Sequence, residues 1–111
     1  MDVSVVHHPG GIAEVTVAGR LNMVTASALR EVIQGQIGDN HPRIAIDLSR
    51  VVFLDSSGLG ALIAGLKSTR QAGGDLRLVQ PAEQAQLVLE LTNMNTVLQS
   101  FDTVADAYPS A

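Results

Sequence analysis

The residues best suited to chemistry are two adjacent serines, Ser56 and Ser57, which directly follow Asp55. They stand in the segment 55–60, whose sequence is Asp-Ser-Ser-Gly-Leu-Gly. The apolar run 51–54 before them predicts the end of a buried strand, and the apolar spacing after them, at i, i+3, i+4 and i+7, predicts a helix. The side chains with this helical spacing are Leu59, Leu62, Ile63 and Leu66. The serines are therefore predicted to occupy a strand-to-helix turn.

Such a turn favours the binding or formation of an anion. The first backbone N–H groups of a helix have no partner within the helix, and Asp55, Ser56 and Ser57 are the candidates to cap them. The same donors, with the positive end of the helix dipole, form an anion site. A serine hydroxyl at this position suits phosphorylation.

The N-terminal part of the chain predicts a β-hairpin followed by a helix. Residues 3–5 and 13–17 alternate between apolar and polar side chains, and residues 8–11, His-Pro-Gly-Gly, form turns readily. Asn22 is a suitable N-cap for a helix over about 24–37. Leu29, Val32, Ile33 and Ile37 supply its apolar face.

The middle of the chain predicts two βαβ units. Residues 44–48 are almost continuously apolar, which is typical of a strand covered on both faces in a parallel sheet. Gly73 and Gly74 end the central helix, and residues 76–79 predict the next strand. Each crossover returns the chain to a parallel strand.

The C-terminal part is predicted to add a third helix that begins near Pro81, with Asn93 in a left-handed conformation just after its end. Ala85, Val88 and Leu91 are predicted to face inward. Residues 97–107 predict a short edge strand and a final helical turn, and residues 108–111 predict a flexible tail. The fold class is α/β: a mixed sheet of four to five strands with about four helices.

Composition narrows the function. The 111 residues suit one domain, 1–111, and the net charge of −4 without a cluster of Lys or Arg argues against direct binding of nucleic acid. The chain has no cysteine and therefore no thiolate chemistry. Its most apolar window, 51–66, is shorter than a bilayer span requires, so we expect no membrane insertion and a cytoplasmic location. His7 and His8 do not predict a metal site, since neighbouring strand residues point to opposite faces.

The segment 55–60 and its surroundings resemble the STAS domain family, and in particular the anti-sigma-factor antagonists. The resemblance covers residues 12–105. Its elements are Gly19-Arg20-Leu21-Asn22, a strand ending Ile46-Asp47-Leu48, the segment 55–60, Gly73-Gly74, and Leu89-Glu90-Leu91-Thr92. Relatives often carry Asp where this chain has Asn22, which removes a negative charge near the serines.

The resemblance implies a switch controlled by phosphorylation. Ser56 is the expected acceptor, with Ser57 as the second choice. The unphosphorylated form would bind an anti-sigma factor that is also a serine kinase, thereby releasing a sigma factor, and a phosphoserine phosphatase would reset the modified form. The chain would then be a substrate rather than an enzyme, with no cofactor or metal of its own, and a monomer when free.

The expected partner surface lies around the serines and along the central helix. If the leucine face of that helix turns inward, small side chains occupy the opposite side, where a partner could approach closely. The residues expected at this surface are Asn22, Asp55, Ser57, Gly58, Gly60, Ala61, Ala64 and Ser68. The alternative is that these small residues pack against another part of the same domain.

Two other functions fit the same serines. In a STAS adaptor subunit of a membrane lipid-transport assembly, Ser56 would only cap the helix and carry no phosphate. A serine hydrolase would use Ser56 or Ser57 as a nucleophile. The glycine that precedes the serine in the nucleophile elbow is absent here, because Leu54 and Asp55 occupy the corresponding positions.

Overall fold

The computed structural model describes residues 1–109 and is built around a five-stranded sheet with the strand order β1-β2-β3-β4-β5. The strands are β1 (Asp2–His8), β2 (Ile12–Leu21), β3 (Arg43–Leu54), β4 (Asp75–Val79) and β5 (Ser100–Phe101). The helices are α1 (Ala26–Gly38), α2 (Ser56–Gln71), α3 (Glu83–Leu91) and α4 (Val104–Ala107), with a 3₁₀ turn at Met94–Thr96. Within residues 1–109, no helix is long and apolar enough to cross a bilayer.

The predicted hairpin and βαβ units are confirmed. β1 pairs antiparallel with β2, through a turn in which Gly10 and Gly11 adopt φ values of 91° and 75°. β2, β3, β4 and β5 are mutually parallel, each pair joined by a crossover. The fold is therefore the predicted α/β class with a mixed sheet.

β3 is longer than either of the two apolar runs that predicted it. It is a single strand of 12 residues, so both runs belong to one element. Its first part pairs with β4 only as far as Asp47, whereas its last part pairs with the end of β2, with Leu54 opposite Leu21. The carboxyl end of β3 therefore projects beyond β4 and delivers residue 55 to the edge of the sheet.

The main core lies between the sheet and helices α1 and α2. Leu29 and Ile33 of α1 and Leu62 and Leu66 of α2 are buried in one apolar cluster with alternate residues of β3. A glycine lets the two helices approach closely, because a Cβ built on Gly65 would lie 2.8 Å from Ile33 Cδ1. A smaller cluster includes Ala45, which points to the opposite face of β3 from Ile44 and Ile46. Val79 and Ala107 complete its buried part.

Two helix predictions need correction. α1 begins at Ala26 rather than near Val24, because residues 22–25 form a separate turn. In α3 the inward position belongs to Leu89, which is fully buried, whereas Leu91 is 77% exposed. Ala85 is buried as predicted, and Asn93 has the predicted left-handed conformation with φ of 62°.

The flexible tail predicted from residue 108 does not begin there. The Tyr108 hydroxyl lies 2.8 Å from the carbonyl oxygens of both Ile44 and Asp75, and the Arg77 guanidinium lies over its ring. Burial raises the pKa of this hydroxyl far above its usual value. Tyr108 therefore fastens the segment after α4 to the sheet, and residues 110 and 111 of the predicted tail lie outside the described residues.

Candidate functional site

The strand-to-helix turn predicted at residues 55–60 is confirmed, and Asp55 is its organising residue. Asp55 is the N-cap of α2, with extended backbone angles, and its Oδ1 accepts a hydrogen bond of 2.9 Å from Gly58 N. Its carbonyl oxygen accepts a second bond of 2.9 Å from Leu59 N. Asp55 thus satisfies part of the first turn with its own side chain, as the N-cap preference of aspartate predicts.

The two serines differ in exposure. Ser56 is the first residue of α2 and is exposed, whereas Ser57 is half-buried. Within residues 1–109 no acceptor is present for the backbone N–H groups of Ser56 and Ser57. The exposed hydroxyl therefore stands at the positive end of a helix of 16 residues, with two free donors beside it.

Asp55 also connects α2 to the turn before α1. Its second carboxylate oxygen, Oδ2, accepts a hydrogen bond of 3.3 Å from Met23 N, and its backbone N–H donates to Leu21 O at 3.3 Å. One aspartate therefore links three segments: the end of β2, the turn 22–25 and the start of α2.

Asn22 belongs to this site but does not cap α1 directly. Its Oδ1 accepts hydrogen bonds from Val24 N at 3.0 Å and from Thr25 N at 3.3 Å. The position immediately before α1 is Thr25, whose side chain makes no cap bond to the helix and instead donates to Arg20 O at 2.8 Å. Asn22 thus stabilises the turn 22–25, which contacts Asp55. The N-cap position of α1, predicted for Asn22, is occupied by Thr25.

Replacement of Asp55 by alanine is expected to lower the free energy of unfolding by about 1 to 2 kcal/mol, because the cap to Gly58 N and the bond to Met23 N are both lost. Urea denaturation followed by circular dichroism measures this change. Asp55→Asn keeps one acceptor oxygen and is the matched control, with a loss below about 1 kcal/mol. Equal losses in the two variants would contradict a capping role.

Gly58 contributes to the site from inside the domain. It is buried, and a Cβ built on it would collide with Leu21 O and lie 2.9 Å from both Leu21 Cγ and Leu54 Cδ1. Gly58 is therefore not a surface contact for a partner, contrary to expectation. Its role is to let the first turn of α2 press against the ends of β2 and β3.

The predicted smooth outer face of α2 is wrong in part. Ala61 is fully buried, so it cannot form part of an exposed surface. The row formed by Gly60, Ala64 and Ser68 is half-buried. Two members of this row meet α1, since a Cβ on Gly60 would lie 3.7 Å from an Arg30 nitrogen and Ser68 Oγ accepts a hydrogen bond of 3.0 Å from Gln34. Gly60 and Ser68 therefore contribute to the contact between α1 and α2, as the alternative explanation expects.

Gln84 is a site residue that the sequence did not predict. Its side-chain amide forms two hydrogen bonds with Leu54, accepting from Leu54 N at 2.7 Å and donating to Leu54 O at 3.0 Å. β4 has already ended at this level, so the amide replaces the missing neighbouring strand. It fixes the residue just before Asp55. A contact of this kind leaves no periodic pattern in the sequence, so the role of Gln84 could not be predicted from it.

Two exposed apolar side chains flank the serine site. Met23 and Val24, in the turn held by Asp55, are 75% and 79% exposed. Arg20, nearby at the end of β2, stacks on Phe53 with its guanidinium carbon 4.4 Å from the ring centroid. Large apolar groups at such exposure are typical of a contact surface when they cluster beside a functional residue.

The histidines lie at the other end of the sheet. His7 bonds to Gln36 at 2.7 Å and stacks on His41, whereas His8 bonds to Glu14 at 2.8 Å, as expected for opposite faces of a strand. Among residues 1–109 no group of three potential ligands could hold a metal ion. His41 comes just before β3 and Ser56 just after it, so the full length of this strand lies between them.

Comparison with known proteins agrees with this architecture. A putative anti-sigma factor antagonist of Thermotoga maritima is 33% identical over 88 residues, covering 78% of each chain. The anti-sigma-F factor antagonist RsfB of Mycobacterium tuberculosis is 31% identical over 107 residues, covering 95% of this chain and 84% of its own. The crystal structure of an anti-sigma factor antagonist from Mycobacterium paratuberculosis superposes with a TM-score of 0.83 at 32% identity, over 96% of this chain and 89% of that one.

The mixed sheet, the paired helices and the capped serine turn define a small α/β domain of the kind found in these regulators. The family model of the STAS domain matches residues 4–107. The chain therefore belongs to the STAS domain family.

Proposed function

We propose that this chain is an anti-sigma factor antagonist that switches partners by phosphorylation of Ser56. The unphosphorylated form binds an anti-sigma factor with serine kinase activity in the cytoplasm, and a sigma factor is released. Phosphorylation ends this binding, and a phosphoserine phosphatase restores it. The relatives support the antagonist role, since both are named as anti-sigma factor antagonists and this chain spans more than three quarters of their length.

The observation that carries the proposal is the exposure of Ser56 at the first position of α2, directly after the capping Asp55. A kinase needs an accessible hydroxyl, and Ser56 meets this need better than the half-buried Ser57. We assign no catalytic residue, metal or cofactor to the chain itself. ATP belongs to the kinase.

The phosphate group has different effects on the stability of the domain and on its affinity for a partner. Within the domain, a phosphate of about −1.5 to −2 charges meets a helix N-terminus, a contact worth roughly 0.3 to 1 kcal/mol, so the fold tolerates it. At an interface the same charge must be desolvated and lies near Asp55, which costs several kcal/mol. The modification therefore acts on binding and leaves the fold intact.

The partner surface that we propose is centred on Ser56 and the turn 22–25, and it extends along the accessible edge of Gly60, Ala64 and Ser68. It omits Gly58 and Ala61, which are buried. Asn22 and Asp55 shape this surface, because both bond to the turn that carries Met23 and Val24.

Replacement of Met23 and Val24 together by serine is expected to weaken partner binding at least tenfold, because two exposed apolar groups beside Ser56 lose their contact area. Isothermal titration with the purified anti-sigma factor measures the change. Val6→Ser is the matched control, since Val6 is 53% exposed but lies on β1, away from the serine site. A loss of affinity in the control as large as in the double variant would contradict this surface.

The test of the proposed function is affinity capture with two baits, the wild-type chain and Ser56→Asp. The expected result is an anti-sigma factor that binds only the wild type and that, given ATP, transfers a phosphate to Ser56, located by mass spectrometry. Phosphate on Ser57 alone would show that the acceptor is wrongly assigned. Absence of phosphate on either serine in cells under every growth condition would favour the non-switching adaptor.

A further inference from the structure

Arg30 is a cation on α1 that leans onto α2. One of its terminal nitrogens lies 3.7 Å from the position that a Cβ on Gly60 would occupy, and the side chain is exposed. The ion pairs within residues 1–109 are His8–Glu14, Arg70–Asp75 and Arg77–Asp75. Arg30 therefore has no carboxylate partner in the described part of the chain.

The position of Arg30 relates directly to Ser56. Ser56 precedes Gly60 by four residues, so the two lie on one face of α2, roughly one helical turn or 5 to 6 Å apart. α1 and α2 run side by side in the same direction, since Arg30 is level with Gly60 and Gln34 bonds to Ser68. Long side chains on a helix lean towards its N-terminus, which for Arg30 is the direction of the start of α2.

We propose that the Arg30 guanidinium receives the phosphate group on Ser56 within the same domain. This inference rests on the proposed phosphorylation of Ser56. The planar guanidinium offers paired N–H donors that match phosphate oxygens, and the free N–H groups of Ser56 and Ser57 supply further donors. Arg30 then offsets the repulsion that the phosphate meets from the neighbouring Asp55 carboxylate.

Gly60 provides the seat for this arginine. Because glycine has no side chain, the guanidinium can lie across the surface of α2 one turn from Ser56. A large side chain at position 60 would fill that space and push the cation away from the serine. Gly60 would therefore serve the binding of the phosphate as well as the packing of α1 against α2.

The experiment places phosphoserine at position 56 during translation, so no kinase is required, and follows its second ionisation, whose pKa is ordinarily about 6, by ³¹P NMR. A nearby cation favours the dianion and lowers that pKa. We expect Arg30→Ala to raise it by roughly 0.3 to 0.7 unit, in line with exposed ion pairs. Arg30→Lys keeps the charge and should restore part of the difference.

The matched control is Lys67→Ala, which removes the same charge from an exposed position of α2 about 16 Å from Ser56, beyond the screening length at physiological salt. It should leave the phosphate pKa unchanged. Equal shifts in the two variants, or none in Arg30→Ala, would overturn the role of Arg30. The readout needs no partner, so a failure here leaves the proposed switch standing, whereas phosphoserine that contacts Arg30 but does not alter partner affinity would refute the switch alone.

Discussion

Phosphoserine at position 56 is expected to weaken binding to the anti-sigma factor by roughly a hundredfold to a thousandfold. The penalty arises at the interface, where the added charge must lose its hydration close to Asp55 and to partner groups. Two to three units of about 1.4 kcal/mol each give that range. Ser56→Asp carries a single negative charge and no third oxygen, so at least a tenfold loss is expected for it.

Isothermal titration of the purified anti-sigma factor against each variant measures these affinities. Ser56→Ala should bind like the wild type and accept no phosphate at position 56, because the hydroxyl is removed without adding charge. Ser57→Asp is the matched control for Ser56→Asp, because it adds the same charge to the neighbouring, half-buried serine. It should lose less affinity for the anti-sigma factor than Ser56→Asp does. Unchanged affinity in the phosphoserine form, with the thermal midpoint also unchanged, would exclude Ser56 as the switch.

The elements that position Ser56 could be predicted from the sequence because each had a strong local signal. The apolar run of β3, the 3–4 spacing in α2 and the cap preference of aspartate all indicated one turn, and Asp55 does bond to Gly58 N. Asn93 was likewise predictable, since asparagine tolerates the left-handed conformation that it adopts.

The remaining errors come from contacts between elements that are distant in sequence. Ala61 was assigned to the outer face because helical spacing alone made one side of α2 polar or small, whereas α1 covers part of that side. Leu91 was assigned to the core for the same kind of reason, although Leu89 occupies that place. Periodicity indicates that a helix has a buried face, but neighbouring elements decide how wide that face is.

Gln84 and Tyr108 illustrate a second limit. Each uses a polar group to bond to the backbone of β3, Gln84 at Leu54 and Tyr108 at Ile44. Gln84 bonds to β3 where β4 has already ended, whereas Tyr108 bonds to a residue that has a paired strand on each side. Both bonds depend on three-dimensional position alone. No spacing in the sequence signals them.

Gly58→Ala is expected to destabilise the domain by about 3 kcal/mol, a large share of the 5 to 15 kcal/mol typical of a domain. The added methyl group would collide with Leu21 O and press on Leu54 Cδ1, which would lie 2.9 Å away. Neither neighbour can move freely, because Leu21 and Leu54 are partners in the β2–β3 ladder and Leu21 O accepts a bond from Asp55 N. The strain therefore falls on the start of α2.

Gly60→Ala is the matched control, since it makes the same chemical change two residues further along the same helix. Its Cβ would meet only the flexible end of Arg30, at 3.7 Å, an ordinary contact distance. Alanine forms helices better than glycine, so this variant should be as stable as the wild type or more stable by up to about 1 kcal/mol. Urea denaturation of both variants measures the difference. Similar midpoints would mean that α2 does not press on β2 as closely as the geometry of Gly58 requires. A large difference would show that the first turn of α2 packs against Leu21 and Leu54 so closely that residue 58 cannot carry a side chain.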